Sequence, residues 1–478
     1  MLGKGFGATV RLSPPPRAGE VGRECGSEGA DNALVASPLR PAGTSPAYGG
    51  GWRLALAGFC LLCLATFPAT AQSLTPLPQH PDGLAWPTEG WEEGELSPEV
   101  ADTLTPIMED TMQRGLDDKM GVTRAVIIIH EGRLVLEAYA DGFGPETKQV
   151  SWSMAKSITS ALVGRAVQLG LIEDIDAPMP SPFAEDDPRS EITWRQWLTM
   201  TDGLDYTEIG AADLATNDVV QMMYGPGRFD VTQYIVDELE TTYTPGEVWN
   251  YSTAGFHLIG RALQDVTGGF GIDDPEIFER MQKKLGADTA ETALRRVGRE
   301  AIIKKHTAFT LRFMLFDPLG MDAQPEFDTA GTYLGGSLVW ASARDFAKFG
   351  YLYLRDGIWE GERLLPEGWV DFSRSDPEAT EAKVYGAGWW LVPEGEARFP
   401  DQAPTTPPYD AFSAQGHEGQ TIWVVPSRDL VIVRLGLMDN GGDNWDALYE
   451  WNQEIARAFP EKRFASNSDE TGGGAPAR

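Results

Sequence analysis

Ser153 and Lys156 lie in S-W-S-M-A-K-S-I-T-S, the one place in this 478-residue chain where a serine is followed three positions later by a lysine. On a helix that spacing puts both side chains on one face, one turn apart. A serine hydroxyl is a poor nucleophile until a neighbouring base takes its proton. A lysine amine is such a base once desolvation or a nearby cation lowers its pKa. The pair therefore reads as a Ser–Lys acyl-transfer centre, although the same spacing also arises by chance on surface helices. The flanking residues favour the chemical reading: Ile158, Ala161, Leu162, Ala166 and Leu169 follow at helical spacing and Gly170 supplies a stop. This pattern predicts a buried amphipathic helix with the pair at its start, where the helix dipole favours developing negative charge.

Two further constellations follow. Tyr251 stands in P-G-E-V-W-N-Y-S-T-A-G-F-H-L-I-G, after a Pro245-Gly246 turn and before the apolar positions Ala254, Leu258, Ile259 and Ala262. A phenol beside a Ser–Lys pair can relay a proton to a leaving group; the plainer alternative is a tyrosine packed at a helix entrance. Near the C-terminus, Gly416 and Gly419 flank His417-Glu418. Ile422 to Val425 and Leu430 to Val433 read as strands around a Pro426–Asp429 turn. Glycine there permits close backbone approach, so that a backbone N–H can face an oxyanion. The alternative is an ordinary glycine-rich hairpin.

Taken together, these stretches resemble the serine β-lactamase and penicillin-recognising superfamily. The likeness is to its class C-like branch, which holds esterases, D-aminopeptidases and 6-aminohexanoate-dimer hydrolase. That family carries S-x-x-K, Y-x-N or a variant, and K-T-G or H-x-G in fixed order, matched here by Ser153–Lys156, Tyr251–Thr253 and His417–Gly419. The stretches I-T-W-R-Q-W-L-T-M-T-D-G-L-D-Y from Ile192, D-P-L-G-M from Asp317 and S-A-R-D-F-A-K-F-G from Ser342 are similar to the family as well. The resemblance implies an oxyanion hole built from the N–H groups of Ser153 and Gln420, with His417 and Gly419 lining the substrate. Thr253 replaces the asparagine common in β-lactamases, and His417 replaces the lysine that helps bind a substrate carboxylate in the penicillin-binding members. Both departures point away from β-lactam turnover.

Other chemistries lack their signals. No G-x-S-x-G elbow occurs, which argues against an α/β-hydrolase. The five histidines (His80, His130, His257, His306 and His417) form no H-E-x-x-H pair, and no Cys–His metal spacing is present. Of these, only His417 is expected to line the site; His257 reads as a packing histidine on the Tyr251 helix. No metal, dinucleotide or other cofactor is implied.

Arg53 to Ala71 reads as a secretory signal ending in Ala69-Thr70-Ala71, too short for a transmembrane helix. The predicted mature chain starts at Gln72 and is periplasmic or secreted. The preceding residues 1–49 form a leader unusual for a signal peptide; a later start codon is one explanation and an uncleaved anchor another. All three cysteines precede the cut, and 33 basic face 67 acidic residues after it. Such acidity disfavours nucleic acid and anionic membranes as partners.

Pro98 to Leu116 has helical periodicity, and Arg124 to Ile129 and Arg133 to Tyr139 read as a hairpin that the C-terminal pair complements. Strands at both ends with helices between predict an α+β fold, an antiparallel sheet flanked by helices with a mostly helical insertion at about residues 171–330. The expected divisions are a lead-in and helix over 72–118, the hydrolase domain over 119–464 and a disordered tail over 465–478. The charged stretch Gly268 to Lys305 reads as a solvated helical insertion, with a substrate lid as the alternative. Trp389 and Trp390 either floor an acyl pocket or pack the core. The function expected is hydrolysis of small esters, amides or short peptides through an acyl-enzyme on Ser153, with Lys156 as base and Tyr251 as proton relay. The alternatives are a β-lactamase or D-Ala-D-Ala carboxypeptidase and, in another class, a non-catalytic cell-wall or lactam-binding protein.

Overall fold

The computed structural model describes residues 10–11, 74–211, 213–268, 299–377, 383–398, 402–439 and 442–462. The stretch expected as a secretory signal, the expected tail from 465, and most of Gly268 to Lys305 lie outside the described residues, so the lid question falls there too.

A seven-stranded sheet forms the spine. Its order is Val10–Arg11, Arg133–Tyr139, Val122–His130, Leu430–Leu437, Gln420–Val425, Phe412–Gly416 and Trp390–Leu391. The first strand is a two-residue parallel addition on Leu136 and Glu137; the other pairings are antiparallel. The two hairpins meet at the centre of the sheet, where Ile127, Ile128 and Ile129 face Val433, Ile432 and Val431. The α+β expectation is thus met.

Alternation along the central strand divides the core into two layers. Ala125, Ile127 and Ile129 pack toward the helix Met154–Gln168 and toward Phe346, Phe349 and Leu352 of the helix Ala343–Leu354. Val126 and Ile128 pack the other way, against Leu104 and Met108 of the helix Pro98–Gln113 and Leu448 and Ile455 of the helix Gly442–Ala458. With helices on both faces, the strand loses the polar face that a solvated antiparallel strand shows, hence the run A-V-I-I-I.

The segment expected as a helical insertion shares this core: Trp197, Phe256 and Leu258 belong to the same buried cluster as Ile127, and so does Tyr333 just beyond it. Its short helices include Trp194–Leu198, Asp218–Met223 and Val231–Glu238, followed by the longer Thr253–Val266. The lead-in is tied down as well. Arg355 donates to Pro78 O at 2.9 Å, Arg374 to Thr75 O at 2.8 Å, and His80 Nδ1 meets the Tyr351 hydroxyl at 2.8 Å.

One expectation needs correcting. The helix after Ser153 is not amphipathic, since every residue from Met154 to Gly164 is buried. Its polar residues misled because they are satisfied internally: Ser157 Oγ donates to Gly388 O (2.6 Å), Thr159 Oγ1 to Gly335 O (2.8 Å) and Ser160 Oγ to Ala387 O (2.9 Å). Leu169, expected in the core, is 44% exposed because the helix ends beside it.

Candidate active site

Ser153 occupies the N-cap position of the helix Met154–Gln168, yet its side chain makes no capping bond. A serine there ordinarily accepts from a backbone N–H of the first turn. Here the hydroxyl faces Lys156, whose Nζ lies 2.9 Å from Ser153 Oγ. The preceding residue, Trp152, has φ +46° and forms the turn that presents the serine.

Lys156 is 1% exposed. Its Nζ also donates to Thr253 Oγ1 (2.7 Å) and to the Gly336 carbonyl (2.8 Å), and lies 4.8 Å from the centre of the Tyr251 ring. Burial pulls its pKa down to about 8, against the opposing pull of Glu208. The charged form is thus about 3 kcal/mol less favoured than on a free lysine. Tyr251 is buried, which holds its hydroxyl protonated far above neutral pH; the negative charge of Glu208 adds to this, and a hydrogen bond with Ser153 opposes it. The phenol is therefore available as a proton donor beside Ser153.

Two loops hold these groups. Ser252 caps the helix Thr253–Val266 by accepting from Gly255 N at 3.2 Å, which fixes Tyr251 and Thr253 on either side of the cap. Gly335-Gly336 pass so close that a Cβ on Gly336 would sit 2.7 Å from Thr253 O. His257 Nδ1 accepts from Gly336 N at 3.2 Å. Burial, helped by the Lys156 charge, lowers the His257 pKa to about 3, so it is a neutral acceptor. The packing role expected of His257 thus has a consequence: it holds the loop whose carbonyl binds Lys156.

The third motif sits differently from the sequence expectation. The segment lying against Ser151–Ser153 is the end of the strand Phe412–Gly416, at Gly416 rather than Gly419. A Cβ on Gly416 would fall 2.2 Å from Ser151 O and 3.2 Å from Ser153 N, so only glycine fits. His417–Gly419 form the turn that follows. The His417 ring is exposed and meets Trp152 edge-on, centroids 5.2 Å apart. Gly419, at φ +79°, is buried against Arg434. Gln420 begins the outgoing strand, and its side-chain amide both donates to Gly436 O and accepts from Gly436 N, each at 2.9 Å. Gly419 and Gln420 therefore shape the turn. The two glycines of G-H-E-G-Q allow two registers, and the tertiary contact of Gly416 with Ser151–Ser153 distinguishes them.

Two residues escape the sequence reading, Glu208 and Arg434. Glu208 accepts from Thr253 N (3.0 Å) through Oε2 and from Thr253 Oγ1 (3.0 Å) through Oε1. Arg434 is fully buried and donates to the carbonyls of Glu418 (3.1 Å) and Gly419 (2.9 Å), pinning the turn; its signal was an arginine inside V-I-V-R-L. Glu418, at φ +62°, accepts from the Trp152 indole N–H at 3.3 Å, which puts a carboxylate beside the residue preceding Ser153. The tryptophan pair also resolves. Trp389 packs the core between Phe349, Tyr353 and Phe412, whereas Trp390 stacks on Tyr251 (centroids 5.2 Å) beside Trp249 and Tyr385.

The model of the Beta-lactamase family matches residues 108–444, which include all of these groups. The chain belongs to the Beta-lactamase family. It is 23% identical over 340 residues to the 6-aminohexanoate-dimer hydrolase of Paenarthrobacter ureafaciens, covering 66% of this chain and 72% of that one. An uncharacterised protein of Alkalihalophilus pseudofirmus is 24% identical over 326 residues, 65% of this chain and 82% of the relative. Among solved structures, a Bacillus anthracis protein assigned as a 6-aminohexanoate-dimer hydrolase superposes with a TM-score of 0.53 at 18% identity, covering 80% of this chain and 91% of that one. A Bacteroides dorei protein assigned as a β-lactamase gives 0.52 at 16%, covering 75% and 99%. These neighbours share the β-lactamase-type fold.

Proposed function

We propose that the protein is a serine hydrolase that cleaves small esters or amides through an acyl-enzyme on Ser153. The observation that carries this is the hydrogen-bonding of Lys156. A neutral amine has two N–H groups and one lone pair. Thr253 Oγ1 and Gly336 O accept the two N–H groups, which leaves the lone pair for the Ser153 hydroxyl. Ser153 Oγ then bonds to the substrate carbonyl carbon as its proton passes to Lys156. The tetrahedral intermediate collapses, and the leaving amine or alkoxide departs with a proton from Tyr251, which recovers one from Lys156. Water enters, loses a proton to the same groups, and releases the acid. For the oxyanion hole we assign the N–H groups of Ser153 and His417. Gly416 lies against Ser153 and hands the chain to His417, whereas Gln420 is across the turn.

Trp390, Trp249 and Tyr385 cluster around Tyr251, and Glu418 lies at Trp152; we take the aromatic cluster as the side that meets the acyl group. No permanent cation is contributed by the His417–Gly419 turn. This favours neutral, largely apolar ester or amide groups over substrates with a carboxylate at that position. The relative named 6-aminohexanoate-dimer hydrolase is consistent with amide cleavage. The expected result is a higher kcat/KM for a short-chain p-nitrophenyl ester than for nitrocefin, with linear amide oligomers and D-amino-acid peptides completing the panel. Nitrocefin turned over at least as well as the ester would promote the β-lactamase reading.

Export completes the proposal. Cleavage after Ala71 would keep the described contacts of Thr75 and Pro78 in the lead-in and would remove the Val10–Arg11 strand from the edge of the sheet. N-terminal sequencing of protein from the periplasm or medium should begin at Gln72; residues preceding Arg53 on exported protein would contradict this.

A further inference from the structure

The direction of the hydrogen bond between Lys156 and Thr253 decides whether Lys156 can act as a base. Gly336 O is a carbonyl and only accepts, so it takes one N–H of the amine. A threonine hydroxyl accepts or donates. Were Thr253 to donate its proton to Nζ, the lone pair would be occupied and Ser153 would have no acceptor. Glu208 closes that option. Its two oxygens take both donors of Thr253, the backbone N–H and the hydroxyl, each at 3.0 Å. The hydroxyl proton then points away from Lys156, and Thr253 Oγ1 meets Nζ at 2.7 Å as an acceptor alone.

We propose that Glu208 is a positioning residue that fixes the polarity of the Glu208–Thr253–Lys156 chain, so that the lone pair left on neutral Lys156 is the one aimed at Ser153. This rests on the Ser–Lys reading above. It also accounts for Thr253 at the family's asparagine position: the hydroxyl serves as a one-proton link whose direction the carboxylate sets. The groups facing Lys156 are few. Tyr251 lies beside it, and His257 approaches from the helix Thr253–Val266; burial keeps both neutral. Tyr206 and Tyr385, also kept neutral by burial, lie in the field of Glu208. Glu208 is therefore the charge that the titration of Lys156 feels.

The test is the rate at which a fluorophosphonate labels Ser153, followed by mass spectrometry across pH, for wild type, Glu208→Gln, Thr253→Val and the double variant. Glutamine offers one oxygen to two Thr253 donors, and its NH₂ turned toward Oγ1 reverses the chain. Glu208→Gln should therefore label at least ~10-fold more slowly at its plateau. Its acid limb should move to lower pH, because removing a nearby negative charge lowers the lysine pKa. In the Thr253→Val background the same change should alter the plateau by less than about twofold, the link being broken already. A Glu208→Gln protein that labels like wild type overturns the proposal, and so does one that slows with its acid limb unmoved, which is what a merely structural glutamate would give. If Glu208→Gln does not fold, Thr253→Val, nearly the same shape without the hydroxyl, must itself be slowed at least ~10-fold or the chain is irrelevant. A wild-type protein unlabelled at Ser153 overturns the parent reading, and this one with it.

Discussion

Ser153→Ala should abolish ester hydrolysis, with a fall in kcat of at least ~10⁴-fold, because the covalent route is lost and only binding and the oxyanion donors remain. The variant should fold normally. The Ser153 hydroxyl caps no helix N–H, so alanine removes a contact to Lys156 and Tyr251 but no structural bond of the helix. The check is steady-state turnover of a p-nitrophenyl ester together with a thermal unfolding curve. A variant that folds and retains more than about a hundredth of wild-type activity would place the nucleophile elsewhere.

Lys156→Ala should cost about 10³-fold in kcat, within the range for a general base. In the wild type the pH dependence carries the same information. The working form of Lys156 is the neutral amine, and its pKa is lowered by burial to about 8. Activity should therefore rise with pH through that value, and kcat/KM should climb about tenfold between pH 7 and pH 9. The sign is fixed: a deprotonated base works above its pKa and fails below it. A rate flat over that range, or falling, would contradict Lys156 as the base. Tyr251 and His257 do not confuse the profile, since burial moves their titrations well above and well below this window.

Much of this site was legible because it is local in sequence. Ser153 and Lys156 share one helical turn, and Tyr251 sits one residue before a serine cap, Ser252, which any reader of helix starts can find. The central hairpins were legible for the same reason, since Val122–His130 and Leu430–Leu437 announce themselves as apolar runs bounded by turns. What was not legible depends on contacts between distant segments. Glu208 is 45 residues from the threonine it orients. Our proposal of His417 over Gln420 as oxyanion donor rests on where Gly416 touches Ser151, which no spacing within G-H-E-G-Q encodes. The helix after Ser153 reads as amphipathic because Ser157, Thr159 and Ser160 are polar, yet each finds a carbonyl in a loop far along the chain.

These contacts also explain why the site tolerates so much burial. A lysine and a tyrosine shielded from water would each be costly if unpartnered. Here Lys156 has three polar neighbours, and Tyr251 is stacked on Trp390 while bonded to Ser153. Burial brings the Lys156 pKa down to about 8, close to neutrality.

The most direct test of the central claim is peptide mapping of the wild-type protein after reaction with a fluorophosphonate at pH 8. The account predicts a single phosphonyl adduct, on the peptide containing Ser153, that is absent from Ser153→Ala. An adduct on a different serine, or none while ester turnover continues, would contradict it.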